Sequence, residues 1–166
     1  MRAIINLEES SPVLKMSEFL ASIKALQEPL DVELVNTGFC PNRVVPILAM
    51  LDAFRSSGRG RVIVSESSEM ANLALSGFKD GSMRPDESIQ RPFGRVWRFD
   101  NGDELNLIVN AVELELNKTV RLAKGVKLCF TWCLNEVMDN VINHSAAVGN
   151  VPGYVMVQYV SEEKLL

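Results

Sequence analysis

A single histidine, His144, serves the whole chain of 166 residues, and only three cysteines, two tryptophans and two tyrosines accompany it. With one imidazole and no CxxC pair, the donors for an ordinary four-ligand zinc site are missing. Cys40, Cys129 and Cys133 make an odd count, so the simplest expectation is free thiols in a reducing cytoplasm. There is no glycine-rich phosphate loop, no G-x-S-x-G element and no second histidine, so a small α/β enzyme of P-loop, hydrolase or other unrelated chemistry is the weakest expectation. No apolar run approaches the roughly 18 residues of a membrane-spanning helix. The start, MRAIINLEESS, turns acidic too early for a signal peptide. An excess of basic charge is also absent: 17 Lys and Arg stand against 21 Asp and Glu, a net charge of −4. Nucleic acid and anionic membrane are therefore not the expected partners.

What the chain does have is 47% hydrophobic and 23% charged residues, enough to bury a core in one ordinary domain or two small ones. Residues 2–7 (RAIINL) read as a strand. Ser11 and Pro12 then give an N-cap and a first helical position, and Val13, Met16, Phe19, Leu20, Ile23 and Leu26 keep helical spacing to about Gln27. Residues 31–36 (DVELVN) form a second strand. A helix over residues 43–56 follows, with Val44, Ile47, Leu48, Leu51 and Phe54 as its buried stripe and Pro46 tolerated in its first turn. Gly58 sits where a helix-ending glycine is expected. Residues 61–65 (RVIVS) alternate too little for a half-exposed strand and are expected to be central. Ser67 or Ser68 caps a short helix that ends at Gly77-Phe78.

Strand and helix thus alternate three times, which predicts a small, largely parallel sheet covered by helices. The stretch from VELVNTGFCPNRVVPILAMLDAFRSSGRGRVIVS to EMANLALSGFKD resembles a STAS-like, anti-sigma-factor-antagonist domain, with Leu75-Ser76-Gly77-Phe78 matching its Leu-x-Gly-Phe/Leu element. In that family a phosphorylated Ser or Thr lies at the N-terminus of the helix after the second of these strands. Here the turn is Phe39-Cys40-Pro41-Asn42-Arg43, which has no hydroxyl, so the resemblance does not extend to a phosphoswitch.

The polar, Pro- and Gly-containing stretch over 81–92 marks the boundary between a STAS-like domain at 1–80 and a second domain at 93–166. There residues 93–99 (FGRVWRF) read as a strand and Asp100-Asn101-Gly102-Asp103 as a turn and cap. A helix over 104–122 buries Leu105, Ile108, Val109, Val112, Leu116 and Val120. Residues 154–160 (YVMVQYV) read as a strand, Ser161 to Lys164 as a hairpin turn, and Leu165-Leu166 as the start of a return strand. A hairpin ending this way is expected in the front part of a longer protein.

The longest helical pattern, from Gly125 to Ala147, carries its polar residues in order. Phe130, Leu134, Val137 and Val141 share one face by their spacing, with Met138 at its edge. Glu136, Asn140 and Asn143 stack as a separate column at i, i+4 and i+7. Cys129 and Cys133 continue that column toward the helix start, where they are expected to pack rather than react. A carboxylate and two amides beside a core-facing stripe are either a pocket wall or the solvated border of an ordinary helix.

The order Glu136-x-x-x-Asn140-x-x-x-His144-Ser145 resembles the N-box of the GHKL ATPases, and most closely the box of their anti-sigma-factor-kinase-like members. The resemblance implies a partial α+β half-sandwich that binds Mg²⁺ and ATP. Within it Glu136 would be the general base, the Asn140 side-chain oxygen a metal ligand, and Asn143 and His144 would lie near the phosphates. The family also holds adenine with an Asp in a D-x-G-x-G box on the strands that follow. No Asp or Gly follows Tyr154, so the chain alone is expected to bind ATP weakly or not at all.

The function these resemblances imply is that of a bacterial signalling protein, an ATPase or Ser/Thr kinase at full length, acting on a regulatory partner or pairing with itself. The alternative is a non-catalytic STAS-like interaction module in a partner-switching circuit.

Overall fold

The computed structural model describes residues 1–7, 10–23, 28–35, 41–66, 77–78, 83–86, 89–121, 123–147 and 151–158. The chain is mixed α/β and divides into two compact units, Met1–Ser82 and Met83–Leu166.

In the first unit β1 (Arg2–Asn6), α1 (Pro12–Ser22), β2 (Leu30–Val35), α2 (Pro41–Ser56) and β3 (Val62–Glu66) follow in turn. The strands form a parallel sheet in the order β1-β2-β3, with Ile5 opposite Leu34 and Val32 opposite Val64. The pleat sends alternate side chains to opposite faces. Leu30, Val32 and Leu34 of β2 are fully buried with Ile5 and Val64, whereas Ile4 and Ile63 face out. β2 is therefore the central strand of the described sheet, and the expectation that RVIVS would be central is corrected. An apolar run reads alike on a central strand and on an edge strand with one covered face. Met16 and Leu20 of α1 and Ile47, Leu48, Leu51 and Phe54 of α2 are buried, and the two helices pack on each other. Burying each such side chain contributes roughly 1.5–3 kcal/mol. Pro12 opens α1 at a position that needs no backbone N–H, and Gly58, with φ at 70°, ends α2 in the left-handed conformation glycine adopts most easily. Arg43 donates to the Leu7 carbonyl and so fastens the start of α2 to the end of β1.

Of the short helix expected after Ser67, only Gly77 and Phe78 lie among the described residues. The Phe39-Cys40 part of the turn before α2 lies outside them, as does Leu75-Ser76 of the STAS-like element.

The second unit pairs β4 (Val96–Phe99) antiparallel with β5 (Gly153–Met156) and sets α3 (Gly102–Thr119) and α4 (Lys124–Ala147) between them in the chain. Its core joins Trp97, Phe99, Leu105, Ile108, Val109, Val112 and Met138. Asn101 caps α3: its side chain accepts from the Glu104 N–H at 2.9 Å, while Glu104 accepts from the Asp100 N–H at 2.7 Å. Part of the stretch read as linker belongs to this unit. Met83 is buried and its carbonyl accepts from the Arg98 N–H at 2.8 Å, Arg84 pairs with Asp100 and Glu104, and Ile89 packs on the core. The hairpin turn over 161–164 and the return strand lie outside the described residues.

Candidate functional site

α4 is one uninterrupted 24-residue helix. Its middle is rich in β-branched, aromatic and Asn residues of modest helix propensity, but no proline or internal glycine breaks the pattern between Val126 and Ala147. Lys127 reaches across to Glu113 of α3 at 3.0 Å, one tie between the two helices.

The side that packs inward differs from the expected one. Met138 is only 2% exposed, and Leu134 and Ile142, one turn before and after it, pack against the same core. By contrast Val137 is 62% exposed, and Phe130 and Val141 also lie open. Of the four residues expected on the core-facing stripe, only Leu134 faces the core. The reason is the partner surface. Leu134, Met138 and Ile142, at i, i+4 and i+8 on α4, face the core that Ile108, Val109 and Val112 of α3 help to form, a line rotated from the Phe130–Val141 stripe by about a sixth of a turn or more at 100° per residue.

That rotation decides where the candidate site residues lie. Glu136, Asn140, Asn143 and His144 are all exposed. At 100° per residue Glu136 and Asn140 fall within about 20° of the point opposite Met138, and Asn143 and His144 flank them. The column expected at the border of the buried stripe is instead the crest of the solvent side. It presents a carboxylate oxygen and two amide oxygens together, the donor types a hard divalent cation prefers. Among the described residues no group of three or more His, Cys, Asp or Glu side chains gathers in a metal-binding cluster.

Cys129 and Cys133 occupy the same side, one turn apart. Both are free and exposed, which corrects the expectation that they would pack. Partial loss of water, then the hydrogen bond to Cys129 and the nearby Cys129 and Glu136 charges, push the Cys133 thiol above its ordinary value. The sequence placed these cysteines in the polar column. What it did not disclose was that the column faces away from α3.

In the first unit a separate cleft of about 640 Å³ opens beside the start of α1 and the start of α2, lined by Ser10, Ser11, Ser17, Asn42, Arg43 and Met50 among others. None of the residues expected to form a site from the sequence lines it.

No protein-family model, curated protein or solved structure matches this chain.

Proposed function

We propose that the solvent side of α4 is the magnesium-facing wall of an ATP site in a GHKL-type unit, and that the protein at full length serves a regulatory circuit as an ATPase or Ser/Thr kinase. The observation that carries this reading is the exposure of Glu136, Asn140, Asn143 and His144 together, on the side of α4 opposite Met138. The residue types fit the group. Asn140 would hold Mg²⁺ through its side-chain oxygen, with Glu136 one helical turn earlier. When bound, Mg²⁺ supplies neutralisation of the phosphate charge. Glu136 would orient the attacking oxygen and accept its proton, and Asn143 and His144 would donate to phosphate oxygens. The first unit, with its parallel sheet, would be the STAS-like module that engages a regulatory partner or a second copy.

The test is a titration of the isotope-labelled full-length protein with millimolar Mg-ATP, followed by NMR. The expected result is a set of shifts at Glu136, Asn140, Asn143 and His144 that require Mg²⁺ and vanish in Asn140→Ala. Because Asn140 is exposed, that variant keeps its stability to within about 0.5 kcal/mol. No shift at these four residues, or shifts indifferent to Mg²⁺, would overturn the reading.

One observation favours a second reading, a non-catalytic interaction module. α4 exposes Leu128 (71%), Trp132 (63%) and Val137, with Val126, Phe130 and Val141 also open, more apolar surface than a solvated helix ordinarily shows. Under that reading Glu136→Ala leaves partner capture intact and no nucleotide raises the melting temperature.

A further inference from the structure

The thiols of Cys129 and Cys133 are unused by the nucleotide reading, and three observations bear on them together. Both are free and exposed on one unbroken helix. A spacing of four brings their Cβ atoms to about 5–6 Å from each other on the same side. The Cys133 thiol is also raised above its ordinary value, with Cys129 among the causes after partial loss of water. Two sulfurs held this way by a regular helix form a ready-made bidentate ligand, with little left to order on binding.

We infer that Cys129 and Cys133 form a two-thiolate site for monovalent copper. The donor set selects the ion. Thiolates are soft ligands that favour Cu(I), and Cu(I) is satisfied by two of them in a near-linear arrangement. Zinc asks for four ligands, and the described residues gather no third His, Cys, Asp or Glu around the pair. Binding is a proton exchange without redox change. One Cu(I) displaces the two thiol protons, two Cu–S bonds form, and the bis-thiolate complex carries one negative charge. Two protons leave for each ion bound, so below the thiol range affinity rises by about 100-fold for each pH unit. The Glu136 carboxylate, one turn beyond Cys133, disfavours the free thiolate, so the exchange is favoured by raising the pH. The inference does not depend on ATP binding.

The experiment is an anaerobic competition titration of Cu(I) against a chromophoric chelator, in a Cys40→Ser background so that only the α4 thiols remain. One ion per chain is expected, as read by native mass spectrometry. Cys129→Ser and Cys133→Ser are each expected to weaken binding by about 100-fold or more, because each breaks the chelate. Far-UV circular dichroism confirms that α4 remains folded in both variants, as their exposed positions require. X-ray absorption on the loaded parent chain should show two sulfur neighbours and no nitrogen. The proposal is overturned if either single variant binds as tightly as the background chain, if one ion is shared between two chains, or if the loaded chain shows a nitrogen or a third sulfur ligand.

Discussion

Asp52 is buried in α2, and its carboxylate accepts a hydrogen bond at 2.7 Å from Arg55, one turn later on the same helix. Arg55 also donates to the Phe78 carbonyl at 3.2 Å and lies with its guanidinium 4.6 Å from the centre of the Phe78 ring. One arginine thus covers a buried charge and anchors the chain at Phe78. Breaking a buried pair from one side is costly because the remaining charge stays out of water. Arg55→Ala is expected to destabilise the first unit by about 3 kcal/mol. Arg55→Lys should recover only part of this, since an ammonium cannot reproduce the planar fork. Urea denaturation followed by circular dichroism reads both.

The inward side of α4 is tested by two neighbouring substitutions. Met138→Ala removes a side chain that is fully inside the core of the second unit and should cost about 2–5 kcal/mol. Val137→Ala, one residue away, should change stability by no more than about 0.5 kcal/mol, since Val137 faces solvent. Had the Phe130–Val141 stripe been the buried one, the order of the two effects would reverse in the same denaturation measurement.

At the start of α3 the Asn101 side chain satisfies the Glu104 N–H that the helix itself leaves open, and the Glu104 carboxylate reaches back to the Asp100 N–H just before the cap. Asn101→Ala should cost about 1 kcal/mol, and Asn101→Gly only a few tenths. A thermal melt of the two variants side by side separates capping from a general effect of substitution.

Gly153 pairs directly with Phe99 across the β4–β5 ladder, and a Cβ at Gly153 would overlap the Phe99 ring. Phe99 is itself fully buried, so the ring has little room to yield. Gly153→Ala is therefore expected to cost about 1–3 kcal/mol, and Gly153→Val more, in a melt of the whole chain.

The same residues show how far the fold could be read from the chain. The alternation of strand and helix in the first unit was legible because each element announces itself locally: Pro12 at a helix start, Gly58 at a helix end, and period-two burial along β2. Which strand would be central was not legible, because Val62, Ile63 and Val64 make the same apolar run whether one face is covered or two. For α4 the difficulty was greater. Val126, Leu128, Phe130, Trp132, Leu134, Val137, Met138, Val141 and Ile142 surround most of the helix, so two overlapping stripes satisfy helical periodicity. Only the surface of α3 selects between them, and that surface is a tertiary fact. The polar column, by contrast, was visible in the spacing of Glu136, Asn140 and Asn143, though its direction waited on α3.

The narrow inward line of α4 has a mechanical consequence. Over 24 residues the helix meets its core through Leu134, Met138 and Ile142, with the Lys127–Glu113 pair near its start. Because those three residues lie on one side, the opposite side of the helix takes no part in holding the core. α4 thus carries Cys129, Cys133, Glu136 and Asn140 on a regular frame whose rise of about 1.5 Å per residue fixes their spacing along the helix axis.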